Sequence, residues 1–315
     1  MDSKWRSQIE QATNWEQTQL FFKKRADEQD PTKEAVKWIY RGQSYHWDKT
    51  VPITEVAPGL ETSLERAFVD FEVRNEARPR WEKDIIRDFR RKLPLYMSNT
   101  PGRYDILGWL ALMQHHHAPT RLQDWTYSPW VALHFAVNRL RPEQVGEVWA
   151  LDAKWFTEKT ESIFGLCGEW RDGMLAWQEK IRLGADALYM DDGAVKDNAK
   201  IMQLIESPKA LIYNVNPFRL NERLTIQHGV FLVPGDMTLS FMQNLESSTY
   251  GNDLYERIHI LRIGHEHRKD ILRELRRMNI NNAVLFPGLD GFAESLWTRL
   301  AVPFHDLRSA YPDSM

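Results

Sequence analysis

Thr126-Tyr127-Ser128-Pro129-Trp130-Val131-Ala132-Leu133-His134-Phe135-Ala136-Val137-Asn138-Arg139-Leu140 is the stretch on which the fold turns. Serine followed by proline marks a helix start: the hydroxyl accepts from the first unpaired amides, and the ring fixes φ in the first turn. From Trp130 to Leu140 the run is apolar almost all round, which predicts a central, buried helix rather than a surface one. Gly146 then leads into Glu147-Val148-Trp149-Ala150-Leu151, a predicted strand.

Upstream, a strand over 36–40 is predicted to end at Arg41-Gly42-Gln43-Ser44. A glycine there marks either a sharp turn or a close approach of something else to the backbone. Helices are predicted near 63–73, 81–93 and 104–116, and Ala118-Pro119-Thr120-Arg121 reads as a polar turn. Downstream, 154–206 reads as mostly helix, followed by strands at 211–215, 229–233 and 258–263. An amphipathic helix at 268–278, a short strand at 283–286 and a last helix at 290–300 complete the series. No linker divides the chain, so the expected organisation is a helical extension over 1–35, one domain over 36–300 and a tail over 301–315.

The totals set limits. The 315 residues are 43% hydrophobic and 12% aromatic, enough for a large core. Lys and Arg total 41 against 44 Asp and Glu, a balance that excludes a uniformly cationic coat for nucleic acid. One cysteine, Cys167, cannot form an internal disulfide, and the N-terminus lacks the apolar stretch of a secretory signal. No run approaches the roughly 18 apolar residues of a membrane helix, so a cytoplasmic chain with no membrane partner is expected.

Several polar residues admit two readings. Arg41 either pairs with a carboxylate at the sheet edge or clamps an anionic ligand with paired donors. Ser128 is a helix cap that can also face a ligand. Asp124 either pairs with Arg121 or takes part in chemistry, and Gln114 either satisfies buried backbone or touches a ligand. The His115–His117 run points in several directions and lacks spaced partners, so no metal is expected. The basic residues between Arg262 and Arg277 are interleaved with acids, which reads as a solvated face, or as the candidate surface if the acceptor is RNA or DNA.

Ordered segments of the chain resemble the FRG domain family. They are Tyr40-Arg41-Gly42-Gln43-Ser44, then Gln114-His115-His116, Pro119-Thr120-Arg121-Leu122, Asp124-Trp125-Thr126, Ser128-Pro129 and Ala132-Leu133-His134-Phe135-Ala136. Arg223 with Gln227-His228-Gly229-Val230-Phe231, and Leu285-Phe286-Pro287-Gly288-Leu289-Asp290-Gly291, extend the resemblance over roughly 36–296. Gln123 departs from an apolar position of that family, and His117 from one commonly glycine. The same segments are similar, more distantly, to mono-ADP-ribosyltransferases of the Arg–Ser–Glu type.

That second resemblance implies an α+β fold with a split, mostly antiparallel sheet core and flanking helices. It implies NAD as substrate, no metal, transfer of ADP-ribose to a macromolecule (protein or RNA/DNA), and a bacterial toxin or anti-phage role with an antitoxin partner. It places Arg41, Gly42, Gln43, Thr126, Ser128 and Gln227 around the cofactor, with Arg41, Gln227, His228 and Asp124 in catalytic roles. Cleaving the nicotinamide–ribose bond builds oxocarbenium character that a carboxylate stabilises. The aligned position of that carboxylate is Gly229. Either Asp124 or Glu222 supplies the charge, or the site is a nucleotide- or partner-binding module without transfer. A hydrolase using His115 or His116 with Asp124 is a third reading.

Overall fold

The computed structural model describes residues 3–29, 37–55, 57–166, 168–184, 190–216, 222–247 and 249–301. Seven strands form one open sheet: β1 (Ile9–Ala12), β2 (Trp38–His46), β3 (Gln123–Thr126), β4 (Gln144–Asp152), β5 (Ile212–Val215), β6 (Gly229–Pro234) and β7 (Ile258–Gly264), in the order β1-β7-β4-β2-β3-β6-β5. Only the β1–β7 pair is parallel. The fold is thus mixed α and β with a mostly antiparallel sheet. Among the described residues, no helix is long and apolar enough to cross a membrane.

Alternation along the strands builds a core on each face. Ile39, Trp149, Leu151, Ile258 and Ile260 belong to one cluster, which continues through Trp125, Val230 and Leu232. Trp38, Tyr40, Val148, Ala150, Leu261 and Ile263 belong to the other. The second face is covered by the helix Pro129–Val137, which is buried nearly all round as its sequence predicts, and by the amphipathic helix Arg268–Arg277. Ser128 caps the first of these, accepting from the Val131 amide at 3.3 Å.

Gly42 does not end the strand. It lies in the middle of β2, opposite Val148. A Cβ built on it would fall 1.7 Å from the Ala132 carbonyl oxygen, and one on Gly146 would fall 2.8 Å from that of Ala136. The two glycines therefore let the helix Pro129–Val137 lie with its backbone directly against β2 and β4. The chain runs on to His46 because register with β4 persists to Gln144.

Other expectations need correction. The extension is not helix alone: β1 joins the sheet edge beside β7, and Trp5, Phe21 and Phe22 are buried. The segment 283–286 is not a strand but a short helix, Asn282–Leu285, capped by the Asn281 side chain. The segment 123–126, for which periodicity predicts no strand, is the strand β3. Arg121 does not pair with Asp124. It is buried with Glu82 in a bidentate pair and donates to the Pro234 carbonyl at 3.2 Å, joining the helix Arg78–Lys92, the approach to β3 and the end of β6. The expected beginning of the first strand at residue 36 and the tail beyond residue 301 lie outside the described residues.

A row of polar side chains crosses the first core. Gln43, Glu147 and Arg262 are direct neighbours in register across β2, β4 and β7. The fully buried Glu147 carboxylate accepts from Arg262 at 3.1 and 3.2 Å, from the Trp149 indole at 2.9 Å and from Gln43 at 3.2 Å. Burial pushes its pKa up, opposed chiefly by the Arg262 charge.

The close approach at Gly42 yields the first prediction. Gly42→Ala must push the helix off the sheet and should cost about 1–3 kcal/mol or more, as forced overpacking does. Urea unfolding measures this, and a variant within a few tenths of a kcal/mol of the parent would mean the contact is not tight.

Candidate functional site

The helix Ile106–His115, strand β3 and the short helix Glu222–Ile226 enclose a cleft of about 250 Å³. Its polar lining is Ser63, Gln114, His115, His117, Asp124, Arg223 and Gln227. Each residue arrives there for a local reason. Gln114 and His115 close their helix, and His117 follows in a left-handed conformation with φ +61°. Glycine adopts that conformation most easily, so the backbone here would take glycine without strain. On β3, Gln123, Trp125 and Thr126 are buried while Asp124 is exposed, so its carboxylate reaches the cleft. Arg223 and Gln227 stand four residues apart, the spacing that shares a helix face, and the Arg223 Nε donates to Gln227 Oε1 at 3.4 Å.

Asp124 is held from two sides. The Gln114 amide donates to its carboxylate at 3.0 Å, and Thr120 donates to the Gln114 oxygen, which fixes the amide's direction. Arg41 donates from Nη1 to the Asp124 backbone carbonyl at 2.6 Å. Arg41 does not line the cleft. Burial pulls its pKa below the usual value, with the Asp124 charge opposing, and its Nε meets no acceptor among the described residues. The side chain therefore props β3 from the adjoining strand.

The remaining expected residues divide. Gln227 lines the cleft, and its amide donates to the Leu285 carbonyl at 2.9 Å. Thr126 lies behind it, donating to the Gln227 carbonyl at 2.6 Å and accepting from the Ser128 amide at 3.0 Å. Ser128 is occupied as the helix cap. Gly42 gives its space to Ala132, and Gln43 donates to Gly59 at 2.7 Å and to Glu147. His228, in a left-handed turn with φ +50°, is exposed outside the cleft; its carbonyl accepts from Tyr127 at 2.9 Å. Glu222 is exposed and does not line the cleft either. A Cβ on Gly229 would come 2.5 Å from Leu224, so a carboxylate there would have to displace that side chain. Arg41, Ser128 and Gln227 thus do not share one cleft, so the transferase arrangement the resemblance implies, with those three around NAD, is not present; Gln227 shares the cleft with Gln114 and Asp124.

Ser63 was not anticipated as a site residue; His117 and Arg223 lie within the segments 114–128 and 223–231 expected to supply the site but were given no role there. The spacing of Arg223 and Gln227 was the signal that could have singled out Arg223. For His115, partial burial first, then the neighbouring His116, Arg223 and His117, lowers the pKa from 6.5. At neutral pH its imidazole is therefore uncharged and able to accept a proton. One carboxylate, one guanidinium, two amides and a neutral imidazole can hold a sugar hydroxyl and an anionic group and move one proton.

Residues 36–144 match the family model of the FRG domain. Neither the comparison with curated proteins nor that with solved structures finds a match. The matched FRG segment supplies Ser63, Gln114, His115, His117 and Asp124 to the cleft. Arg223 and Gln227 come from beyond residue 144, outside the matched segment. The FRG segment also contains the departure at Gln123. That side chain is buried, accepts from the Trp125 indole at 2.8 Å and donates to the Glu61 carbonyl at 3.1 Å, so both ends of its amide are satisfied.

Two predictions follow from this geometry. His117→Gly should leave stability unchanged or raise it by up to about 1 kcal/mol, since a left-handed non-glycine residue is strained; a marked loss in thermal unfolding would contradict this. ADP-ribose binding, measured by calorimetry, should strengthen as pH falls from neutral through the lowered His115 pKa, because protonation of His115 adds a cation and a bound anion raises its pKa. His115→Gln should flatten that dependence, and an unchanged slope would remove His115 from the site.

Proposed function

We propose that the cleft binds the ribose and phosphate portion of a nucleotide, with NAD as first candidate, and that Asp124 is the carboxylate of an ADP-ribosyltransferase-like reaction. The observation that carries this reading is the setting of Asp124. Among the described residues it is the one carboxylate lining the cleft, held by Gln114 and sharing the lining with Arg223 and the neutral His115. The volume suits part of a dinucleotide rather than the whole, so the rest would extend over the open rim.

In this reading Arg223 takes a phosphate and Gln227 a ribose hydroxyl. The bond between ribose C1′ and the nicotinamide nitrogen breaks, and nicotinamide leaves with the electron pair. Asp124 stabilises the oxocarbenium character left behind. A hydroxyl or amine of a macromolecular acceptor attacks C1′, and His115 accepts its proton. This assigns to Asp124 the charge that the Arg–Ser–Glu pattern would put at position 229.

A second reading, binding without transfer, is favoured by Gly229 itself and by the absence of Arg41 and Ser128 from the lining. Incubation with NAD labelled in the adenylate, with cell extract as acceptor source, distinguishes the two. Transfer predicts nicotinamide release and labelled macromolecule, both reduced by roughly two orders of magnitude or more in Asp124→Asn, as loss of a transition-state charge partner does. NAD binding that persists with no release identifies the binding module. No binding of NAD or ADP-ribose would overturn both.

A further inference from the structure

The helix Arg78–Lys92 carries cations that the cleft does not use. Lys83, Arg87 and Arg91 recur at i, i+4 and i+8, so they stand in a row about 6 Å apart on one helix face. All three are exposed, and Arg90 lies beside them. They rim a groove of about 630 Å³ whose floor is aliphatic, made by Ile86, Ile106, Met202 and Ile205. Among the described residues, Glu206 is the one acid in this lining, and its carboxylate already accepts from the Trp177 indole at 2.9 Å. Four cations therefore face one engaged acid. Arg87 also meets Asp84 at 3.0 Å, an exposed pair of the kind that contributes little and exchanges readily.

Two features select the occupant. The cations are spread along the helix rather than converging, so they suit several carboxylates in a row better than one anionic head. The aromatic part of the wall is closed to nucleobases. Trp109 is buried, donates to the Gly102 carbonyl at 2.8 Å, and has the Arg90 guanidinium over its ring at 5.1 Å. The apolar surface continues past the groove's Pro94 to Leu95 and Tyr96, 80% and 83% exposed. Met202 in the floor is a side chain that adapts to varied apolar partners.

We propose that this groove is a docking site for an acidic amphipathic helix of a partner protein. Apolar side chains of that helix lie on the Ile86–Ile205 floor, and carboxylates at i, i+4 spacing meet Lys83, Arg87 and Arg91, the helix-in-groove mode of recognition. The site is separate from the Asp124 cleft and does not depend on its chemistry.

The test uses the full chain and a fluorescein-labelled synthetic helix with Leu at i, i+3, i+4 and i+7 and Glu along the adjoining face. The expected result is saturable binding that weakens with added salt. Arg87→Glu combined with Arg91→Glu should weaken it roughly tenfold or more, while Asp124→Asn leaves it unchanged. The single exposed change Arg91→Ala, which should not disturb folding, should weaken binding measurably on its own. Failure of the peptide to bind saturably, binding indifferent to both variants, or equal binding of the same peptide with Lys in place of Glu would overturn the proposal. Tighter, Arg91-dependent binding of a single-stranded oligonucleotide or of dodecyl phosphate would overturn it in favour of those ligands.

Discussion

The contact between the Ala132 carbonyl and the bare backbone of Gly42 sets the geometry of everything around it. With Gly146 below Ala136, it lets a helix lie against β2 and β4 at a distance no side chain would permit. The start of that helix is then fixed, and so are Ser128 at its cap and Thr126 just before it. Thr126 pairs with Tyr40 of β2 and donates to the Gln227 carbonyl, which ties the turn carrying Gln227 to the same frame. Arg41 completes the frame by holding the Asp124 carbonyl. The motif residues Arg41, Gly42, Thr126 and Ser128 thus position the cleft from behind, while Gln114, Asp124, Arg223 and Gln227 line it.

The sheet tolerates buried charge because each charge is matched in register. Arg262, Glu147 and Gln43 sit side by side on three strands, and Arg121 with Glu82 locks the approach to β3 against a neighbouring helix. Pairs of this kind add little net stability over apolar residues of similar volume, but losing one partner leaves the other charged and buried, at a cost of about 3–5 kcal/mol. They therefore restrict the chain to one strand register, which fixes where Asp124 points.

Much of the fold was legible because periodicity reports burial. The central helix, its Ser128 cap, β4, β6 and the helix Arg268–Arg277 all declare themselves by which positions are apolar. Strand β3 does not, because Gln123 and Thr126 are buried polar residues whose partners lie about sixty and one hundred positions away in sequence. Strand β1 is hidden for a related reason: four residues on a sheet edge carry too short a pattern to read. Within the site, Asp124, Gln114 and Gln227 could be named from sequence, but their division from Arg41, Gln43 and Ser128 could not. Whether a polar side chain faces a cleft or a neighbouring carbonyl depends on strand register, which no local pattern records. His117 was visible as part of a histidine run and as a departure from glycine, and its meaning came with its left-handed backbone.

In the proposed reading, the Asp124 cleft takes a small anionic ligand and the cationic groove takes a partner helix. The central claim is that Asp124 addresses a nucleotide sugar held by Gln227, with its phosphate on Arg223. A crystal structure of the chain soaked with ADP-ribose tests it most directly. The account predicts ribose density within hydrogen-bond reach of the Asp124 carboxylate, with a phosphate on Arg223. Density seated elsewhere, or an empty cleft at saturating ligand, would contradict it.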